Sequence, residues 1–218
     1  MANDQSRGMP MTGAAALKVL KEGNSRFVSG KLRHAHLASD WRTHLTQGQQ
    51  PIATILSCSD SRVPPELVFD QGLGDLFIVR VAGNIIDSDV LGSISYALIH
   101  LKTPLVVVMG HEKCGAVKAA MDIADGADHE MRYIEGLIDR IIPAISSVKH
   151  NQPHEDRWLA SVEANVRAAT IQLNHTVESL KSLRSLPVLI KKAMYKLESG
   201  FVEFLDEPES ESDFSSIA

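Results

Sequence analysis

The residues best suited to chemistry in this sequence are its two cysteines and a nearby histidine. Cys58 and Cys114 are the only cysteines in the chain, and His111 comes three positions before Cys114. Two thiolates and one imidazole are a ligand set that favours tetrahedral zinc. Three protein ligands leave the fourth position open for water, as in a catalytic site. These residues therefore predict a catalytic Zn²⁺ centre.

A charged pair follows the first cysteine. Asp60 and Arg62 are two positions apart, so in an extended loop their side chains point to the same side. An arginine can hold a carboxylate through two hydrogen bonds and keep it ionised and oriented. Such a carboxylate beside a metal-bound water can accept the hydrogen of that water, so we expect both residues to be catalytic. The alternative is a solvated ion pair, which contributes little.

Other interpretations of these residues stay open at the level of sequence. Either cysteine could be a buried apolar thiol, and the two together could form a redox-active disulfide pair. His111 could be a strand-end histidine bonded to the backbone. Three further histidines, His34, His36 and His44, lie in a polar stretch, and we expect them at the surface rather than at a metal.

Continuous apolar runs predict the strands that must position the cysteines. Runs without alternation, at 52–56, 76–79 and 105–109, are typical of strands buried on both faces of a parallel sheet. Two further strands are predicted at 188–197 and 201–205. The two cysteines come shortly after the first and third runs. Because ligand sites of such sheets form outside the carboxyl ends of the strands, we expect both cysteines at one site.

Helical periodicity occupies much of the remaining sequence. Apolar residues at helical spacing predict helices over 14–29 (with a break near Gly23), 90–101, 115–124, 131–149 and 155–174. The order of strand, helix and strand predicts a right-handed crossover. The predicted fold class is therefore α/β, with a central, mostly parallel sheet flanked by helices and an N-terminal helical arm.

Composition limits the partners and the location of the protein. The net charge of -5 and the pI of about 6.0 argue against nucleic acid, which requires a concentrated basic surface. The sequence has no apolar stretch of about 18 residues that could span a membrane, and no secretory signal, so we expect a cytoplasmic protein. We predict a flexible N-terminus at 1–13, a single catalytic domain at 14–205 and an acidic disordered tail at 206–218.

Two motifs carry a resemblance to a known family. The segments CSDSRV at 58–63 and HEKCGAV at 111–117 resemble the two signatures of β-carbonic anhydrases. The similarity is close over 14–126, weakens beyond that point and returns in YKLESG at 195–200. Together the motifs are much more specific than a bare pair of cysteines.

The resemblance implies a function and a set of site residues. It implies that the three predicted ligands hold zinc and that the Asp60–Arg62 pair orients a zinc-bound hydroxide, which hydrates carbon dioxide reversibly to bicarbonate and a proton. The implied substrate pocket contains Gln49, Phe77, Ala82, Tyr96 and Gly115. The resemblance also implies a homodimer, or a larger oligomer built from dimers, in which the N-terminal helices complete the pocket.

Two other functions are compatible with these motifs. The same fold could act on carbon disulfide or carbonyl sulfide, or the protein could be a catalytically silent zinc-binding assembly protein. Two positions depart from the family pattern: Val81 replaces a frequent asparagine, and Lys191 and Lys192 lie where apolar residues or glycine are expected. The lysine pair indicates either unusual packing at the far edge of the sheet or an exposed edge.

The resemblance also bears on whether Asp60 itself binds the metal. In one branch of the family the site closes when this aspartate leaves its arginine and occupies the fourth position on zinc. In that branch an aromatic residue stands three positions before the first zinc cysteine. Here that position is Ile55, and Gln49 matches the open branch. We therefore expect Asp60 to stay paired with Arg62 at neutral pH.

Overall fold

A five-stranded sheet forms the centre of the protein in a computed structural model that describes residues 11–128, 132–184 and 187–205. The strands are β1 Ala53–Ser57, β2 Leu76–Arg80, β3 Leu105–His111, β4 Leu189–Tyr195 and β5 Val202–Leu205. In space they lie in the order β2-β1-β3-β4-β5. The first four are parallel, and β5 runs antiparallel to β4. The predicted mostly parallel sheet is confirmed.

The inner strands explain the continuous apolar runs. Every residue of β1 and of β3 is buried, because helices cover both faces of the sheet at this point. The two strands pair directly, with Thr54 opposite Val106 and Ser57 opposite Met109. Burial of apolar surface contributes about 25 cal/mol per Å², so a strand covered on both faces gains from apolar residues at every position.

Seven helices surround the sheet in the part of the chain that the structure describes. They are α1 Gly13–Val28, α2 Ser39–Leu45, α3 Pro65–Val68, α4 Ser88–Tyr96, α5 Gly115–Ala124, α6 Arg132–Ile145 and α7 His154–Ser179. One face of the sheet packs against α1 and α3. The other packs against α4, α5, α6 and α7, and carries the larger core. The predicted α/β class with an N-terminal helix is confirmed.

The predicted break of the first helix near Gly23 is wrong, because α1 is continuous. Gly23 instead allows close packing: a Cβ atom at this position would lie 1.8 Å from the carbonyl oxygen of Phe69. A glycine inside a helix costs about 1 kcal/mol relative to alanine. The close approach of α1 to the residue that ends α3 explains why glycine is nevertheless found there.

Two other elements differ from the simple helical pattern. The polar stretch after α1 contains α2, which apolar periodicity does not signal because none of its residues is buried. The predicted helix over 90–101 is divided: α4 ends at Tyr96, and a π-helical turn at Ala97–Leu101 continues it.

The two departures from the family pattern fit into the core without disrupting it. Lys191 and Lys192 lie within a continuous β4, and β5 rather than β4 is the edge strand, so the expected exposed edge at the lysines is wrong. Lys192 is only 7% exposed; a lysine tolerates this because its aliphatic stem packs on apolar surface. Val81 packs, half-buried, against the core on the α4–α7 side.

The predicted chain ends fall mostly beyond the described residues. Of the expected flexible N-terminus only 11–13 is described, and the expected acidic tail at 206–218 lies outside. The boundaries of the 14–205 domain stay a prediction. Within the described residues, no helix combines the length and the apolar character needed to cross a membrane.

Candidate metal centre

The carboxyl ends of β1 and β3 meet at one edge of the sheet and bring the three predicted ligands together. Cys58 directly follows β1, His111 is the last residue of β3, and Cys114 directly precedes α5. One potential ligand atom from each lies within 4.8 Å of the others, and all three residues are buried. The turn between the histidine and the second cysteine places Lys113 at a φ of 53°, a rarely populated conformation that often occurs at functional sites.

The hydrogen bonds of His111 leave one ring nitrogen available to a metal. Nδ1 lies 2.8 Å from the backbone carbonyl oxygen of Glu112. Because a carbonyl only accepts, Nδ1 carries the ring hydrogen and donates it. Nε2 then bears a lone pair, is buried and has no hydrogen-bond partner, which costs about 1–3 kcal/mol. A metal ion would satisfy this nitrogen, and a second hydrogen bond of this kind is what usually orients a ligand histidine.

The two thiols lie close enough for each to change the pKa of the other. A hydrogen bond from Cys114 lowers the pKa of Cys58 to about 4, although burial opposes the shift. The same hydrogen bond, together with burial, raises the pKa of Cys114. Both residues are free cysteines. Since metals bind the thiolate and displace protons from such groups, the donor set of two sulfurs and one imidazole fits Zn²⁺.

Contacts from the end of β2 hold the loop that carries Cys58. The guanidinium of Arg80 donates from Nε to the Cys58 carbonyl at 3.0 Å and from Nη2 to the Asp60 carbonyl at 2.6 Å. The backbone N–H of Gly83 donates to the Cys58 Sγ atom at 3.3 Å. The first ligand and the carboxylate beside it are therefore fixed relative to the neighbouring strand.

Asp60 and Arg62 form a two-point ion pair beside the ligands. The Arg62 Nε and Nη2 atoms donate to the two carboxylate oxygens at 2.9 and 2.7 Å, and its backbone N–H adds a third bond of 2.9 Å. These bonds from Arg62 lower the pKa of Asp60 to about 2, although burial opposes the shift. One Asp60 oxygen lies 3.9 Å from the Nε2 atom of His111. An ionised carboxylate thus stands next to the ligand atoms at neutral pH.

Comparison with known proteins agrees with this geometry. The carbonic anhydrase family model matches residues 53–202. A carbonic anhydrase of Mycolicibacterium smegmatis is 49% identical over 190 residues, which cover 87% of this chain and 91% of the relative. The β-carbonic anhydrase of Coccomyxa in complex with acetazolamide superposes with a TM-score of 0.71 at 25% identity, covering 88% of this chain and 87% of that chain. This chain belongs to the β-carbonic anhydrase family.

A second β-carbonic anhydrase structure supports the same assignment. CafA of the fungal pathogen Aspergillus fumigatus superposes on this family member with a TM-score of 0.69 at 25% identity, covering 91% of this chain and 93% of that chain. The similarity extends over most of the chain rather than over the ligand loops alone.

Two of the substrate residues expected for a β-carbonic anhydrase lie next to the ligand loops. Ala82 begins a 3₁₀ turn, Ala82–Asn84, whose Gly83 donates to Cys58. Gly115 directly follows the second ligand cysteine, is exposed, and has no atom within 4 Å of the place where a Cβ would lie. The structure therefore leaves open space directly beside the second cysteine.

The other three expected substrate residues lie in two separate clefts. Phe77 and Tyr96 meet between β2 and α4, with ring centroids 6.3 Å apart. Gln49 lines a cleft of about 510 Å³ together with Trp41 and Asp75. No metal ligand is among the described residues that line either cleft, so this chain alone does not bring Gln49 to the ligands.

His36, in the polar stretch, has polar and aromatic partners away from the candidate metal ligands. The Nδ1 atom of His36 lies 2.8 and 2.7 Å from the two carboxylate oxygens of Asp75, and its ring stacks on Trp41. Within the described ranges, the three histidine, cysteine or acidic side chains that lie close enough to hold one metal are those of Cys58, His111 and Cys114. His36 does not belong to this group.

Several residues that hold the candidate ligands in place carry almost no signal in the sequence. Arg80 and Gly83 support Cys58, while Trp158 donates from Nε1 to the Cys114 carbonyl at 3.0 Å. Asn165 donates to the Gly83 carbonyl. A weak signal existed for Asn165 alone, because it is a polar residue beside Val162 and Val166, on the apolar stripe of the predicted helix over 155–174.

Proposed function

We propose that this protein catalyses the zinc-dependent, reversible hydration of carbon dioxide to bicarbonate and a proton. The observation that carries the proposal is the buried Cys58, His111 and Cys114 group with an ionised Asp60 beside it, in a member of the β-carbonic anhydrase family. Metal ligands next to a fixed hydrogen-bond acceptor are what the activation of water requires.

The three ligand residues have defined tasks in this proposal. Cys58 and Cys114 would hold Zn²⁺ through Sγ, and His111 would hold it through Nε2. When bound, zinc acts as a Lewis acid that lowers the pKa of a coordinated water from about 15.7 towards 7 and so supplies the hydroxide nucleophile. Two thiolates donate more charge than neutral ligands do, so we expect full activity only above about pH 7.

Asp60 would orient the nucleophile. With a pKa of about 2, its carboxylate only accepts hydrogen bonds at neutral pH. It would therefore accept a hydrogen bond from the attacking hydroxyl group, which keeps its hydrogen, and so turn the oxygen lone pair towards carbon dioxide. Arg62 holds Asp60 through two charge-assisted bonds. Breaking them would be necessary before Asp60 could reach the metal, so we propose that the pair persists at neutral pH.

The substrate site is proposed in two parts. Ala82 and Gly115 would border carbon dioxide, because both adjoin the ligand loops and Gly115 leaves open space for a small molecule. Phe77 and Tyr96 would add an apolar wall, and Gln49 would donate a hydrogen bond to bicarbonate from a second copy of the chain. Tyr96 is 51% exposed, which suits an interface.

Assembly and location are also part of the proposal. A homodimer, or a larger oligomer built from dimers, would bring Gln49 of one copy to the metal ligands of the other. A cytoplasmic location is supported by the two free thiols, because a reducing compartment keeps ligand cysteines from forming disulfides.

Stopped-flow carbon dioxide hydration, with metal analysis of the same sample, tests this function. We expect about one zinc per chain and a rate that rises between about pH 6 and 9. The folded Asp60 pKa of about 2 lies far below this window, so Asp60 stays ionised throughout and does not cause the rise, which we assign to the attacking group. A rate that does not change with pH, or zinc-loaded protein that hydrates no carbon dioxide, would contradict the proposal. Assays with carbonyl sulfide and carbon disulfide would reveal the alternative substrates.

A further inference from the structure

We propose that Asn165 is a positioning residue that holds the Gly83 N–H on the sulfur of Cys58 and thereby tunes this metal ligand. The inference rests on the proposed zinc site. Asn165 comes 82 positions after Gly83, on helix α7, which packs over β3 and β4. It lies outside both sequence motifs and contacts no ligand atom in the hydrogen bonds that the structure shows.

A short chain of contacts joins Asn165 to the ligand. Asn165 is 3% exposed, and its Nδ2 atom donates to the Gly83 carbonyl oxygen at 2.7 Å. The N–H of Gly83 donates in turn to the Cys58 Sγ atom at 3.3 Å. The Gly83 carbonyl is thus bonded to Asn165 on α7, and the Gly83 N–H is bonded to Cys58. A rotation of the Gly83 backbone would break both bonds.

The conformation of Gly83 makes it depend on these contacts. Its φ of 68° and ψ of 14° are left-handed, and a Cβ atom here would lie 2.7 Å from the Cδ1 atom of Ile141. Glycine meets both requirements, but it also has the widest choice of other conformations. The direction of its N–H is therefore set by its hydrogen-bond partners rather than by its own preference. The short bond from Asn165 anchors the carbonyl side.

A hydrogen bond to a ligand sulfur changes what that sulfur donates to a metal. The N–H draws electron density from the thiolate, so the ligand becomes a weaker donor, and such outer contacts also orient the ligand. Without Asn165, the Gly83 carbonyl would be left buried and unpaired, and the Gly83 residue would be free to turn away. Cys58 would then be less well oriented and richer in electron density.

Thr170 provides a matched control on the same helix. It is also 3% exposed, and its Oγ1 atom donates to the Val166 carbonyl within α7 at 2.8 Å. Thr170→Val removes a buried hydrogen bond at nearly constant volume without touching Gly83. A purely structural role of Asn165 would make the two positions equivalent at the metal.

The experiment compares the full-length wild-type, Asn165→Leu and Thr170→Val proteins. Leucine keeps the approximate size of asparagine but has no donor; Asn165→Ala serves if leucine is not accommodated. Cobalt replaces zinc to give a thiolate-to-metal charge-transfer band, and a chelator competition measures zinc affinity. Neither readout depends on turnover.

We expect the charge-transfer band of Asn165→Leu to shift to longer wavelength, because a thiolate without its hydrogen bond gives up an electron more easily. Its zinc affinity should fall about 10-fold or more, because the poorer orientation of Cys58 outweighs its stronger donation, as is typical for the loss of an outer contact. Thr170→Val should keep the wild-type band and an affinity within about twofold. A wild-type band in Asn165→Leu, or the same shift in Thr170→Val, would overturn the inference. Wild-type protein that binds no cobalt would refute the proposed zinc site itself, and the inference with it.

Discussion

Two histidines of this protein are each held through Nδ1, yet their surroundings prepare them for different roles. The side chain of His111 is fully buried, its Nδ1 donates to a backbone carbonyl, and its Nε2 has no partner. The side chain of His36 is 38% exposed, faces the Asp75 carboxylate at 2.7 Å and stacks on Trp41 with ring centroids 4.1 Å apart. The first lies between two thiols, whereas the second lies in a polar segment.

The environment of the two histidines, rather than the residue type, distinguishes the proposed metal ligand. His36 has a carboxylate and an aromatic ring as partners, and solvent reaches the rest of its side chain. His111 keeps an unmet lone pair in a site from which water is largely excluded, where an unpaired polar atom is costly. A metal would therefore satisfy an unmet group in the proposed ligand region, whereas His36 already has polar and aromatic partners. The two regions should respond differently to substitution.

Loss of a ligand should give the largest effect. Cys114→Ala removes one of two thiolates, so we expect neither stoichiometric zinc nor carbon dioxide hydration above the uncatalysed rate. Metal analysis and stopped-flow assays on the same preparation check both. Should the variant retain one zinc per chain, the ligand set would be wrong.

Loss of the oriented carboxylate should come next. In Asp60→Asn the shape is kept but the charge is removed, so we expect kcat to fall about 10²-fold or more while zinc content is unchanged. Asp125→Asn is the matched control, because Asp125 forms a similar two-point pair with Arg157 on the surface. A normal rate in Asp60→Asn would exclude the orienting role, and loss of zinc would indicate that Asp60 is itself a ligand.

The segment around His36 should respond in stability rather than in activity. Asp70 anchors it, accepting hydrogen bonds from the backbone of Arg33 and His34 and pairing with Arg26. Burial raises the pKa of Asp70, but the bonds from Arg26, Arg33 and His34 outweigh it and hold the pKa below its usual value. At pH 7 we expect Asp70→Asn to lower the free energy of unfolding by about 2 kcal/mol, with zinc content unchanged.

The loss of unfolding free energy in Asp70→Asn should depend on pH in a definite direction. A carboxyl whose folded pKa is below its unfolded value of about 3.9 stabilises the fold above that pH, and the contribution is lost as pH falls through the lower, folded pKa. The deficit of Asp70→Asn should therefore shrink as pH is lowered below about 4. Urea unfolding at pH 7 and at about pH 3 measures it. An equal deficit at both pH values would show that the ionised state of Asp70 is not what stabilises the fold.

The smallest effect is expected at His36. His36→Ala should cost about 0.5–1 kcal/mol, because the lost hydrogen bond to Asp75 and the lost ring contact are partly exposed. Zinc content and hydration rate should match the wild type, whereas His111→Ala in parallel should lose both. If His36→Ala also lost zinc, the distinction between the two regions would fail.

The local features of this protein follow from its sequence. Cys58, Asp60 and Arg62 lie within one loop, so their spacing alone places the carboxylate in reach of the guanidinium. Continuous apolar runs predicted the parallel strands because both faces of the sheet are covered. Because sites form at the carboxyl ends of such strands, the sequence also predicts that the distant Cys58 lies beside the turn that contains His111 and Cys114.

Only the tertiary structure decided which residues support these ligands. Asn165 and Trp158 on α7 reach the loops of Gly83 and Cys114, and Gly23 is required where α1 meets a carbonyl oxygen. These contacts join positions far apart in the chain, so no local period or spacing encodes them. They arise because α7 covers the sheet beside the site, where each buried carbonyl has to find a donor that water cannot supply.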